Sequence, residues 1–262
     1  MTTDIDTNSE RARLSRDDVS SWDSLTQTYN FRTTFGFARA FTAFVIEECD
    51  AHDGEAVALD IGCGNGIGCN VGWTREIRSH VRELWGIEPD ESIERPAEID
   101  HFQHALMETA ELPENHFDVI FSFTVMEHVE KPEEFMRAVE RALKPGGVYI
   151  FMTPNGKHYF SIIGSLLKAI RLDEIILRML RGATVDEYHY PVQYKFNSAR
   201  QIEPICEQLG FEKPECVFIE REGPKPYFPG PLRPIWWLLM KKRDIVKKPE
   251  LLLELFVKCR KK

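Results

Sequence analysis

Two periodicities share this chain, and the places where one gives way to the other mark its elements. Trp22, Leu25, Tyr29, Phe35, Phe37, Phe41, Phe44 and Val45 recur at spacings that suit helix faces, which predicts one or two helices ending near Asp53-Gly54. Short continuous apolar runs then alternate with amphipathic stretches. Residues 57–61 predict a strand, 66–77 a helix, 81–87 a second strand and 101–106 a weaker third, while 117–123, FDVIFSF, predict a buried strand. Residues 132–143, PEEFMRAVERAL, predict an amphipathic helix stopped by Pro145, Gly146 and Gly147, with the next strand at 148–152. Strands separated by helices require right-handed crossovers, so the fold class is α/β, a parallel sheet with helices on both faces.

Beyond Pro154 the rhythm breaks. Residues 159–180 are a long apolar, helix-like stretch interleaved with Lys168, Arg171 and Arg178, and 182–197 are irregular. A helix at 198–209, a strand at 211–219 and a last strand at 251–258 follow. Residues 1–21 carry few large apolar side chains and read as a mobile arm. The expected organisation is one domain over 22–262, in which 157–197 and 223–247 are lid or substrate elements.

Charge and cysteine usage narrow the field. Lys plus Arg total 33 against 42 Asp plus Glu, a formal charge of -9, which argues against a nucleic-acid partner because phosphate affinity is built from clustered cations. No apolar run nears the roughly 20 residues of a bilayer span. The polar start, MTTDIDTNSERARLSRDD, has no secretory apolar region. The six cysteines show no two-residue gap of a zinc knuckle or redox pair, so free thiols in a cytoplasmic protein are expected.

The chemistry begins at VALDIGCGNG, residues 57–66. A strand ending in glycines brings backbone N–H groups close to a ligand at the carboxyl edge of the sheet. A dinucleotide fingerprint would place glycines first, third and sixth. Here Gly62, Gly64 and Gly66 stand first, third and fifth, and Ile67 in the sixth place counts against a nicotinamide cofactor. Asp60 precedes the glycines. Glu88, in LWGIEPD, follows about twenty residues beyond them, where a carboxylate can accept both hydroxyls of a ribose.

On these residues the sequence resembles the class I S-adenosylmethionine-dependent methyltransferases, in particular the subgroup of ubiquinone-biosynthesis O-methyltransferases and related small-molecule and sugar methyltransferases. The likeness covers residues 22–156 well and the tail from Ser198 more loosely. It rests on four ordered motifs: LDIGCGNG, GIEPD, ELPENHFDVIFSF and VMEHVEKPEEFMRAVERALKPGG. The resemblance implies a Rossmann-like, doubly wound seven-stranded sheet with an antiparallel last strand and a helical lid insertion. It implies S-adenosyl-L-methionine as cofactor. Gly62, Gly64 and the backbone at Cys63 and Asn65 would then pass under its methionine part, with Gly66 closing the loop and Asp60 near the amino group. Glu88 would hold the ribose. Glu108, Thr109 or Glu111 would meet the adenine edge, and Phe123 would sit beside the cofactor.

The departures from that pattern shape the expected reaction. Relatives carry Glu-x-x-Glu-His after the fourth strand, which some use to hold a divalent metal. This chain reads Thr124-Val125-Met126-Glu127-His128, so no metal is expected. The Asn-Pro-Pro-aromatic motif of amide and adenine N-methyltransferases is replaced by Ser122-Phe123-Thr124-Val125, which favours oxygen, and less often carbon, as the methyl acceptor. A hydroxyl acceptor calls for a base. His128 is the first candidate, with His158 and Tyr159 on the opposite wall of the cleft. Each also has a structural reading: a turn cap for His128, a loop histidine and a core-facing tyrosine for the others.

Apolar faces beside basic residues recur at 159–181 and at 234–243, where Trp236 and Trp237 precede Lys241, Lys242 and Arg243. They suit a lipid-like acceptor or peripheral membrane contact through those two stretches, and equally ordinary core packing. The expected activity is methyl transfer to a hydroxyl of a quinone-, lipid- or sugar-like small molecule. A non-catalytic cofactor-binding module on the same fold and a nicotinamide-dependent oxidoreductase are the competing readings.

Overall fold

The computed structural model describes residues 31–33, 37–159, 161–162, 192–221 and 251–262, with isolated positions between 234 and 248. The arm at 1–21, the start of the helix at Trp22, nearly all of the 159–181 stretch and residues 223–233 lie outside the described residues. The described elements are β1 (Phe31–Thr33), α1 (Phe37–Asp50), β2 (Val57–Ile61), α2 (Val71–Arg78), β3 (Glu83–Ile87), β4 (His101–Gln103), β5 (Phe117–Phe123), α3 (Pro132–Ala142), β6 (Leu143–Pro154), α4 (Ala199–Gln208), β7 (Glu215–Arg221) and β8 (Glu254–Arg260).

The strands form one sheet in the order β4-β3-β2-β5-β6-β8-β7-β1. Strands β2 to β6 pair in parallel, and β8 runs antiparallel between β6 and β7. This is the doubly wound sheet with an antiparallel last strand. It also has an eighth member: β1 pairs in parallel with Ile219–Arg221 of β7 at the outer edge, inside the stretch read as helical. Local periodicity could not reveal it, because a three-residue edge strand is defined by a partner nearly 190 residues away along the chain.

Burial alternates with the strand pleat. Ala58, Val119, Phe121 and Ile150 face the cluster of α1, with Phe41, Phe44 and Val45. Val57, Leu59, Ile120 and Phe151 face the opposite cluster, with Phe135 and Val139 of α3 and Ile202 of α4. All five residues of β2 are buried, as befits a central parallel strand covered on both faces. The strand order reverses at β2, between β3 on one side and β5 on the other. Open α/β sheets bind ligands in the crevice outside the carboxyl ends of such strands.

The helix read at 66–77 is interrupted. A 3₁₀ turn spans Ile67–Cys69, with Gly68 and Cys69 at positive φ. α2 then starts at Val71 because Asn70 caps it, its Oδ1 accepting from Gly72 N at 2.9 Å. The last strand lies two to three residues later than its apolar run suggests. Among the described residues, no helix is long and apolar enough to cross a membrane.

Candidate active site

β2 delivers Asp60 and the glycine loop to the carboxyl edge. The loop continues the pairing of β2 with β3, since the amides of Gly62 and Cys63 both donate to Ile87 O, at 2.8 and 3.2 Å. It closes through Gly66 N to Cys63 O at 2.8 Å. All three of its glycines meet close neighbours, a Cβ on Gly62 coming within 2.6 Å of Val125 Cγ2. A Cβ on Gly66, which sits at φ 86°, would lie 2.8 Å from the backbone of Val71, and one on Gly64 would lie 3.2 Å from Glu88 Oε2. Asn65 is exposed at the tip of the loop, while Cys63 and Ile67 are buried beneath it.

Glu88 stands at the end of β3 with its carboxylate turned to the loop. Oε2 accepts Gly64 N–H and Oε1 accepts Asp90 N–H, both at 3.1 Å. Each oxygen keeps a second acceptor direction. Burial raises the Glu88 pKa, and these two amides oppose the shift. Asp60 is in a different position. It is 2% exposed and its Oδ2 accepts no hydrogen bond. Burial first, and the neighbouring Glu88 second, push its carboxyl up to about 8.

Phe123 ends β5 half-buried, edge-on to Phe41 with ring centroids 5.3 Å apart, and it lies against Gly68 of the same loop. Past β4, Gln103 fixes the backbone of Glu111 with a pair of hydrogen bonds at 2.8 and 3.0 Å. That pins the turn carrying Glu108, half-buried, and Thr109, exposed, whose hydroxyl donates to Leu106 O at 3.2 Å. The structure thus brings Asp60, the glycine loop, Glu88 and Phe123 around the ends of β2, β3 and β5. Glu108 and Thr109 stand beyond β4.

Across β5 the polar groups are bonded to one another. Thr124, at φ 57°, turns the chain out of the strand while its N–H donates to Met152 O at 2.9 Å. His128 is half-buried in the next turn, its N–H donating to Val125 O at 2.9 Å. Glu127 points inward: Thr153 Oγ1 donates to its Oε2 at 3.2 Å, and Asn197 Nδ2 donates to Thr153 Oγ1 and to Pro154 O. The Glu127 carbonyl accepts the amides of Gln193 and Tyr194. Burial, with Glu254 nearby, pushes the Glu127 carboxyl up to about 8.

Asn155 organises the loop after β6. Its Nδ2 donates to Leu252 O at 2.7 Å, its Oδ1 accepts from Lys157 N, and its carbonyl accepts from His158 N and from Ser161 Oγ. His158 is only 3% exposed, with its ring centroid 4.1 Å from that of the half-buried Tyr159. Of the candidate bases, His128 and Tyr159 retain exposed surface. The network of Glu127, Thr153, Asn155 and Asn197 escaped the sequence reading. Its signal was the polar Thr-Pro-Asn directly after an apolar strand, which no local rule connects to Glu127 or Asn197.

The metal pattern of some relatives does not fit here. Thr124 stands in the place of the first carboxylate, and Glu127 is committed to Thr153. Among the described residues no three His, Cys, Asp or Glu side chains gather as a metal site. In the 234–243 stretch, the described Ile235, Trp237 and Leu238 are exposed and Lys241 Nζ lies 4.0 Å from the Trp237 ring centre.

Comparison with known proteins bears on this geometry. The methyltransferase-domain family model matches residues 20–215. The ubiquinone biosynthesis O-methyltransferase of Citrobacter koseri is 33% identical over 135 residues, 49% of this chain and 52% of that protein. Its namesake from Escherichia coli O157:H7 is 31% identical over 151 residues, 55% of this chain and 59% of that protein. The chain therefore spans little more than half the length of these curated relatives. The crystal structure of a SAM-dependent methyltransferase from Archaeoglobus fulgidus superimposes with a TM-score of 0.52 at 16% identity, covering 86% of this chain and 94% of that one, a likeness of fold.

Proposed function

The chain belongs to the class I S-adenosylmethionine-dependent methyltransferases, and from that premise we propose that it transfers the methyl group to a hydroxyl oxygen of a small quinone-, lipid- or sugar-like acceptor. The observation that carries the oxygen reading is the end of β5. Ser122-Phe123-Thr124-Val125 stands where N-methyltransferases of amides and adenine place Asn-Pro-Pro-aromatic, and a partly exposed His128 follows at the same edge. The names of the curated relatives point the same way, although each is matched over only part of its length.

The residues at the edge suit the cofactor. Asp60 offers a buried acceptor without a partner, Glu88 has one free acceptor direction on each oxygen, and the space where a Gly64 side chain would lie is needed for the approach of the backbone. In this reading Gly62, Cys63, Gly64, Asn65 and Gly66 hold the methionine part, Asp60 its ammonium, Glu88 the ribose hydroxyls, Glu108 and Thr109 the adenine edge, and Phe123 packs beside it. The bound cofactor supplies a methyl group already activated on a sulfonium. The chain's own work is alignment and, for a hydroxyl acceptor, removal of a proton. His128 carries an imidazole, the side chain best suited to take a proton at neutral pH.

The test is incubation with methyl-labelled cofactor and fractionated polar and lipid extracts, followed by NMR of the labelled product. A methyl ether is the expected result. A methyl on nitrogen or carbon would overturn the oxygen reading, and no transfer to any fraction would favour the non-catalytic module.

A further inference from the structure

Two carboxyl groups meet at the glycine loop, and only one is supplied with donors. Glu88 takes the amides of Gly64 and Asp90. Asp60, one strand away and 2% exposed, receives nothing at Oδ2. Its surroundings offer no compensation. Among the described residues, the titratable groups acting around it are Glu88 from β3 and Cys63 from the loop, whose own thiol is raised by burial and by both carboxylates. On the same face of the sheet α1 contributes Phe37 and Phe41, the 3₁₀ turn Ile67 and β5 Phe121, all apolar.

A buried carboxylate without a donor or a cation costs several kcal/mol, and such a group neutralises by holding a proton instead. The S-adenosyl cofactor brings the missing partner, an α-ammonium with three N–H donors. We propose that uptake of the cofactor by this protein releases a proton from Asp60: the carboxylic acid of the unliganded site gives its proton to solvent as the ligand's ammonium takes its place. The balance is one proton lost to solvent and one ammonium–carboxylate pair gained: the ligand's positive charge enters, the proton carries one away, and the site is neutral both as the free acid and as the ion pair.

The inference rests on the family's cofactor and not on the identity of the acceptor. Its direction in pH follows from the same groups. Burial and Glu88 push the Asp60 carboxyl up to about 8 in the unliganded protein. Below that pH the proton must be displaced, so affinity rises toward tenfold per pH unit between pH 6 and 7 and flattens only above pH 8.

S-adenosylhomocysteine, which keeps the ammonium and lacks the reactive methyl, is the probe. It is titrated calorimetrically into the protein at pH 7 in phosphate and in Tris, buffers of very different ionisation enthalpy. The expected result is an apparent enthalpy that varies between buffers by most of one released proton. Asp60→Asn should bind more weakly, with a pH-flat affinity and no buffer dependence. Wild-type binding with no buffer dependence would overturn the proposal and leave the cofactor assignment intact. So would a proton release that persists in Asp60→Asn. If the wild-type protein does not bind the probe at all, the cofactor assignment and the proposal fall together. The wild-type measurement decides even if the variant folds poorly.

Discussion

Asp60 and Glu127, two of the buried carboxyls at the sheet edge, are alike in burial and unlike in partners. Both are pushed up to about 8. Glu127 accepts a hydroxyl from Thr153, which is itself held by Asn197, so its cost is shared within the protein. Asp60 Oδ2 has no such donor. A satisfied buried acid belongs to the scaffold, whereas an unsatisfied one beside a glycine loop is suited to a cation that arrives from outside. The same contrast extends to the two sides of the edge: an open acceptor set around β2 and β3, and a closed hydrogen-bond network around β6.

Substitutions separate these two sides, and the largest expected effect falls on turnover. Once an acceptor is found, His128→Ala should lower turnover by about 10²- to 10⁴-fold with cofactor affinity nearly unchanged, if the acceptor is a hydroxyl of high pKa. Steady-state rates from pH 6 to 9 check this. Wild-type turnover across that range would make His128 a turn residue and move the search to Tyr159, since His158 is buried.

On the cofactor side, Gly64→Val forces a β-branched side chain against Glu88 Oε2 and should weaken S-adenosylhomocysteine binding by more than about 100-fold with native circular dichroism. Normal binding by the folded variant would reduce the loop to a plain turn. Glu88→Ala removes a charged acceptor from two hydroxyls, a loss on the order of 1.5 to 3 kcal/mol, or roughly 10- to 150-fold in affinity. An unchanged dissociation constant would take Glu88 out of the site.

The smallest effect on affinity tests the closed side. Glu127→Gln keeps an acceptor for Thr153 and removes the ionisable group, so cofactor affinity should change by less than about twofold. Its signature lies in stability. A carboxyl whose folded pKa is raised from 4.5 to about 8 favours the folded state below 4.5 and loses that contribution as pH climbs through 8. The variant should therefore melt near the wild-type temperature at pH 5 and above it at pH 8, by about 2 to 4 °C per kcal/mol recovered. Equal melting temperatures at pH 8 would mean that Glu127 ionises without penalty, which would erase the likeness to Asp60.

The open side was legible in the sequence because its chemistry is contiguous: Asp60, three glycines and Glu88 follow one another along two strands and a loop. The order of apolar runs gave β2, β5 and α3 nearly to the residue, whereas β6 starts at Leu143, five residues before its apolar run, because it pairs with β5 from Phe117 onward. What could not be read locally are features made by distant partners. β1 exists because of β7, and the break before α2 depends on Asn70 capping and on Gly68 and Cys69 at positive φ. Glu127 looked like a remnant of a metal motif, and only the fold shows that its carboxyl turns away toward Thr153. His158, placed on a cleft wall by its position after a strand, is buried by the hydrogen bonds that Asn155 gathers.

The open acceptors at the edge of β2 and β3 suit an S-adenosyl ligand. Parallel calorimetric titrations of the wild-type protein with S-adenosylhomocysteine and with NADH test that fit most directly. A single saturable site for S-adenosylhomocysteine is expected, with no measurable heat of binding for NADH, because Ile67 occupies the place of the third dinucleotide glycine. Binding of NADH with comparable affinity, or no binding of S-adenosylhomocysteine by folded protein, would contradict it.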